Sequence, residues 1–132
     1  MKSSDLLFVY GTLRRGFRNP LYPVLETGSE FVSEGWFQGR LYRVADYPAA
    51  VPSSRPEDRV RGEIYRLEHP GRVFQILDEY EGCPPSSAGS GEFLRGRAWI
   101  QLDSGDNLET WIYLYDRSVA GLSRIASGDF LI

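Results

Sequence analysis

The stretch Phe8-Val9-Tyr10-Gly11-Thr12-Leu13-Arg14-Arg15-Gly16 decides how the chain is read. An apolar run from Leu6 to Tyr10 stops at Gly11, and a polar, basic segment follows. Strand formers dominate the run, so it reads as a buried strand. Gly11 has no Cβ, so the backbone can turn sharply there and a ligand can approach it closely. Peptide N–H groups freed at a strand end can form a concavity for negative charge. Thr12 adds a hydroxyl, and Arg14 and Arg15 add cations. Two readings stand at this point. One is an ordinary strand-to-loop turn, where Gly is common. The other is a small anion-binding loop, with the two arginines either meeting the anion or solvating the loop.

The chain has 132 residues, which suits a single domain, 1–132, with one core. Three Trp, eight Tyr and seven Phe are available to fill it. A net charge of −3, with arginines scattered among acids, argues against a nucleic-acid surface. The single cysteine, Cys83, rules out an internal disulfide and favours a reducing compartment. No apolar stretch approaches the roughly 20 residues of a membrane helix. The N-terminus lacks a secretory pattern. A soluble cytoplasmic protein is expected, with no membrane or nucleic-acid partner; the oligomeric state is left open.

Asn19-Pro20 reads as a helix start, with Leu21, Val24 and Leu25 at helical spacing and Gly28 as the stop. Ser29 to Val44 alternates as an extended segment, with Gly35 and Gly39 suggesting bulges or barrel corners. Asp46 to Pro52 reads as a proline-punctuated connector and Ser53 to Asp58 as a polar loop. Arg59 to Leu67 alternates again. Pro70 to Tyr80 changes period: Val73, Ile76, Leu77 and Tyr80 form a helical stripe, and Gly82 ends it. Cys83 to Gly91 is a loop of small residues. Phe93 to Leu102 and Leu108 to Tyr115 flank Asp103-Ser104-Gly105-Asp106-Asn107, a hairpin signal. Ser118 to Ala126 reads as a helical turn. Six or so strands with two or three short helices argue for an α+β domain with a curled, mainly antiparallel sheet.

The strongest chemical signal is Leu77-Asp78-Glu79-Tyr80-Glu81-Gly82, three carboxylates at a helix end where the macrodipole disfavours negative charge. At about 100° per residue, Glu81 lies roughly 40° from Leu77, on the edge of the apolar stripe. Asp78, roughly 100° from Leu77, and Glu79, roughly 160°, point further toward solvent. A half-buried Glu81 would have a raised pKa, which suits a general base. The alternative is an acidic, solvated helix end. His69, the only histidine, reads as a helix-start residue. With one His and one Cys there is no credible transition-metal site and no Ser-His-Asp or Cys-His set. No feature near Cys83 points to a lowered thiol pKa.

Taken together, Tyr10-Gly11-Thr12-Leu13 and Leu77-Asp78-x-x-Glu81-Gly82 resemble the gamma-glutamylcyclotransferase-like superfamily, in the branch that includes gamma-glutamylamine cyclotransferase. Arg15-Gly16, Asn19, Tyr47-Pro48-Ala49, Gly62-Glu63-Ile64-Tyr65, Trp111-Ile112-Tyr113 and Ile125-x-Ser127-Gly128-Asp129 extend the likeness over most of the chain. The resemblance implies a small mixed, mainly antiparallel β-barrel with flanking helices. It also implies an enzyme, lyase or acyltransferase in type, that uses no cofactor and no metal. Its small-molecule gamma-glutamyl substrate would be cleaved by intramolecular attack to 5-oxoproline and an amine. By resemblance, Tyr10, Gly11, Thr12 and Leu13 hold the glutamyl part, largely through backbone groups, and Glu81 is the catalytic base. Phe93-Leu94-Arg95 departs from the Tyr-x-Arg often seen in the family, and Phe130 stands where Trp or Tyr is usual. Two further readings are a carboxylate-binding module that does not catalyse, and an interaction domain using Trp36 and Phe37.

Overall fold

A computed structural model describes residues 5–11, 13–14, 22–44, 46–81 and 92–131. The elements run β1 (Leu6–Val9), α1 (Tyr22–Gly28), β2 (Ser29–Arg43), β3 (Pro48–Pro52), β4 (Arg59–Leu67), α2 (Pro70–Tyr80), β5 (Phe93–Leu102), β6 (Asn107–Tyr115) and β7 (Ser123–Arg124). The strand order β2-β4-β1-β6-β5 returns to β2, because β2 also pairs with β5, and so closes a five-stranded mixed barrel. The β1–β6 pair is parallel and the other pairings are antiparallel. β3 and β7 extend β2 beyond the barrel.

The continuous apolar run of β1 follows from burial on both faces. Leu6, Phe8 and Tyr10 point into the barrel with Phe37, Val60, Ile64, Ile100 and Ile112. Leu7 and Val9 point outward into a second layer with Leu25, Val73, Phe74 and Leu77 from the two helices. β4 alternates the same way: Val60 and Ile64 lie inside, Tyr65 and Leu67 under the helices. Gly62, between them, sits where an added Cβ would lie 2.4 Å from the Val9 carbonyl oxygen, so β4 and β1 approach too closely for any side chain.

Five sequence expectations change. Pro48–Pro52 is a strand on β2, not a connector. Both prolines sit at its ends and the strand is an edge, the one place in a sheet where a missing N–H is tolerated. The buried stripe of α2 is Val73, Phe74 and Leu77, while Ile76 and Tyr80 are exposed, so the helix is rotated toward Phe74. Ser118 to Ala126 forms no helix; its middle is β7, paired with Tyr42 and Arg43. Phe37 is buried inside the barrel and Trp36 lies beneath the Arg59 and Arg61 guanidiniums, so this pair offers no aromatic docking surface. The bulge in β2 falls between Phe31 and Ser33 rather than at a glycine. Gly35 marks the crossing to β5, where a Cβ would meet the Ile100 side chain at 2.7 Å. Asn19-Pro20, Gly82 and the Cys83 to Gly91 loop lie outside the described residues.

Truncating Ile64, fully buried in the barrel, should cost about 2–5 kcal/mol in urea denaturation. Trp99→Ser, at a site 65% exposed, should stay within roughly 0.5 kcal/mol of wild type.

Candidate active site

β1 ends at Val9, and Tyr10 carries the chain to the rim of the barrel. Its hydroxyl donates to the Tyr113 carbonyl at 2.6 Å and accepts the Ala50 N–H at 3.3 Å. The turn that follows is closed by the Arg14 N–H donating to the Gly11 carbonyl at 3.1 Å. A Cβ on Gly11 would lie 2.7 Å from the Pro48 ring, so Pro48 covers this turn and only glycine fits beneath it. The Leu13 side chain is core, packed in the layer that contains Leu77 and Phe93. Thr12 lies outside the described residues.

Arg14 neither meets solvent nor waits for a ligand. It is 4% exposed; Nη1 bonds Asp129 at 2.7 Å, and Nε stands 3.6 Å from a Glu63 carboxylate oxygen. Glu63 also accepts from the Tyr65 hydroxyl at 2.9 Å. The turn after β1 is thus fastened from below to β4 and to the tail. Gly128, beside Asp129, has φ +72° and presses against the Arg59 carbonyl, a place no side chain can occupy.

Glu81 caps the C-terminus of α2, its N–H donating to the Leu77 carbonyl at 2.8 Å. Its carboxyl is half-buried, and its pKa is raised to about 7, first by desolvation and then by the Glu92 charge. The Glu81 charge in turn raises the pKa of both Tyr10 and Tyr113, whose phenols are already raised by burial. Hydrogen bonds from the Tyr10 hydroxyl to the Tyr113 carbonyl and from the Tyr113 hydroxyl to Asp78 bring the helix end, the rim residue Tyr10 and β6 around one corner of the barrel. Glu92 accepts a hydrogen bond from the Tyr47 hydroxyl, which is pushed up to about 12 by burial and by that carboxylate. Phe93 is buried against Tyr47 and Tyr115.

Asp78 does not point to solvent as the angular count implied. It accepts from the Tyr113 hydroxyl at 2.5 Å and from Arg95 at 2.9 and 3.1 Å. The sequence pattern puts the stripe on Val73, Ile76, Leu77 and Tyr80; with Phe74 rather than Ile76 on its flank, the covered face extends toward Asp78. Glu79 is exposed, as the spacing implied, and His69 is the N-cap residue of α2 without a side-chain capping bond. Among the described residues no cluster of three His, Cys, Asp or Glu side chains could hold a metal ion. A separate hollow of about 170 Å³, lined by Trp36, Arg40, Arg59 and Arg124, contains none of these site residues.

The family model for gamma-glutamyl cyclotransferase, AIG2-like proteins matches residues 7–131. The chain belongs to this family. The Escherichia coli gamma-glutamylcyclotransferase family protein YtfP is 32% identical over 126 residues, covering 95% of each chain. Rat gamma-glutamylaminecyclotransferase is 27% identical over 118 residues, covering 81% of this chain and 75% of its own. The crystal structure of a mouse AIG2-like protein superposes with a TM-score of 0.64 at 25% identity, over 83% of this chain and 76% of that one. No helix among the described residues is long and apolar enough to cross a membrane.

The raised pKa carries a linkage consequence. Glu81 holds its proton more tightly folded than unfolded, so folding stability falls as pH rises from about 4.5, the ordinary value, to about 7. Glu81→Gln removes that penalty. The variant should match wild type near pH 4 and exceed it by roughly 1–3 kcal/mol at pH 8, read by chemical denaturation at both values.

Proposed function

We propose that the protein is a cofactor-independent gamma-glutamyl cyclotransferase that converts a small gamma-glutamyl amine or amino acid to 5-oxoproline and the free amine, with Glu81 as general base. The observation that carries this reading is the half-buried carboxyl, its pKa raised toward neutrality, at a helix end that Tyr113 ties to Tyr10 at the head of the glycine turn. The family membership and the likeness to a gamma-glutamylaminecyclotransferase support the reaction class.

The chemistry matches what the corner offers. The substrate's α-amine attacks its own γ-carbonyl carbon, so no serine or cysteine nucleophile is needed. That amine is protonated at neutral pH and must first lose a proton, for which a carboxylate with a pKa near 7 is well matched. A new C–N bond closes the five-membered ring and the bond to the leaving nitrogen breaks; the attacking nitrogen gives up two protons in all, and both pass by way of Glu81 to the leaving nitrogen, which departs as an ammonium. Ring closure is largely a positioning task. The Tyr10 to Leu13 backbone is the proposed cradle for the glutamyl part, with N–H groups meeting either the α-carboxylate or the developing oxyanion. The reaction involves neither electron transfer nor a carried group.

Purified protein should release 5-oxoproline from members of a gamma-glutamyl compound panel, and Glu81→Gln should lower kcat by about 10²–10⁴-fold with the fold intact by circular dichroism. A saturable ligand-induced rise in Tm with no turnover of any compound would instead favour a binding module. In wild type, kcat/KM should fall about tenfold per pH unit below about pH 7, where Glu81 becomes protonated. An acid limb centred near 4.5 would assign the proton transfer to another group.

A further inference from the structure

Three hydrogen bonds from two side chains converge on the Asp78 carboxylate. Arg95 and Tyr113 are direct cross-strand partners on β5 and β6, and both donate to it. The Arg95 guanidinium grips Asp78 in a two-pronged bond while its carbon lies 4.1 Å from the Phe74 ring centre and 4.6 Å from that of Trp111. Phe74 and Asp78 are one turn apart on α2, so a single side chain holds two successive turns of the helix. A planar fork of this kind fixes orientation as well as distance, which a lysine would not do. Glu81 is the next position along the same face.

The second half of the connection runs through Tyr113. Its hydroxyl donates to Asp78, and its backbone carbonyl accepts from the Tyr10 hydroxyl, which in turn accepts from the Ala50 N–H. One residue of β6 therefore touches both the helix end and the residue that opens the glycine turn.

We propose that Asp78 is a positioning residue: clasped by Arg95 and Tyr113, it sets the last turn of α2 against the barrel and so fixes the Glu81 carboxyl relative to the turn after β1. The proposal rests on the reading of Glu81 as the base where it concerns rate, but its structural content does not. Asp78 touches no reacting atom. It acts by holding the helix end where Glu81 stays shielded and within reach of one bound substrate, and a misplacement of about 1 Å at such a site costs on the order of 10²-fold in rate.

The charged and titratable groups that bear on Glu81 come from every side: Tyr10 at the end of β1, Tyr113 on β6, and Glu92 just before β5. If the clasp is loosened, water enters and the desolvation that raises Glu81 weakens. Asp78→Asn keeps the shape but also deletes a nearby negative charge, which by itself would lower the Glu81 pKa. Tyr113→Phe changes no charge at neutral pH and removes only the hydroxyl, so it isolates positioning.

The decisive measurement is an NMR titration of the ¹³C-labelled Glu81 side-chain carboxyl in wild type, Tyr113→Phe, Asp78→Asn and Glu109→Gln, alongside kcat and KM. Glu109 pairs with Arg97 on the barrel surface and serves as a control for loss of an ion pair. The proposal expects the Glu81 midpoint to move down by about one pH unit in Tyr113→Phe and further in Asp78→Asn. It expects kcat to fall about tenfold or more with KM changed less than roughly threefold, the split that marks lost transition-state positioning. A variant that combines Tyr113→Phe with Asp78→Asn should be little worse than Asp78→Asn alone, because both changes cut one network. Glu109→Gln should leave the midpoint and both constants as in wild type. An unshifted midpoint and unchanged kcat in Tyr113→Phe, with only Tm lowered, would overturn the proposal and leave the clasp as simple structural bracing. If Asp78→Asn does not fold, Tyr113→Phe decides alone. If wild type turns over no gamma-glutamyl compound, the functional reading fails while the titration still decides the positioning.

Discussion

The fold depends on β1 being buried on both of its faces. A strand of four residues can join a barrel interior to an outer helical layer only if every side chain is apolar, and Leu6 to Val9 meets that condition. Its two neighbours then determine what lies at its end. β4, antiparallel on one side, leads within three residues into α2. β6, parallel on the other, brings Tyr113 beside the strand's exit. Through Tyr113 the exit of β1 is joined to the last turn of α2, because the same short strand organises both flanking elements.

Buried charge secures that rim. Arg14 lies under the turn between Glu63 and Asp129, with its Nε left without a hydrogen bond. Asp58, buried at the other end of β4, accepts from Arg40, Ser53 and Arg124 and so ties β7 to the body of the barrel; those partners hold its pKa well below the usual carboxylate range. Buried ion pairs add little net stability compared with apolar residues of the same size, but breaking one is costly. Their effect here is to admit one placement of the turn and one of the tail.

Sequence periodicity carried the reader far where burial is one- or two-sided and regular. The β1 run, the alternation of β4, the hairpin at Asp103 to Asn107 and a helix over Pro70 to Tyr80 are all legible because each side chain's neighbours follow from the element's own period. It failed where a partner outside the element decided the outcome. Pro48 to Pro52 became a strand because β2 had a free edge to pair with. Ser123 and Arg124 became one because Asp58 holds Arg124 in place. Sequence cannot choose between Ile76 and Phe74 for the buried stripe of α2, because both are apolar and only the Arg95 and Trp111 surface shows which is covered. That one rotation also hid Asp78. The resemblance brought Glu81 forward, and the raised pKa of its half-buried carboxyl is consistent with a role that sequence alone left beside an ordinary solvated helix end.

Asp78 and Glu81 show how neighbouring carboxylates on one helix come to differ. Both sit in the last turn, where unsatisfied carbonyls disfavour added negative charge. Asp78 meets a guanidinium and a phenol, so its charge is answered and its geometry fixed. Glu81, three residues on, is desolvated by burial and faces another carboxylate in Glu92, so its charge is opposed. Pairs of acids whose environments diverge in this way mark division of labour in many active sites. The paired acid is held in a fixed place by its donors, whereas the pKa of Glu81 is raised toward neutrality by desolvation and by Glu92. Exchanging the two environments would leave composition and helix unchanged, yet it would place the carboxyl with the raised pKa one turn back, under Arg95.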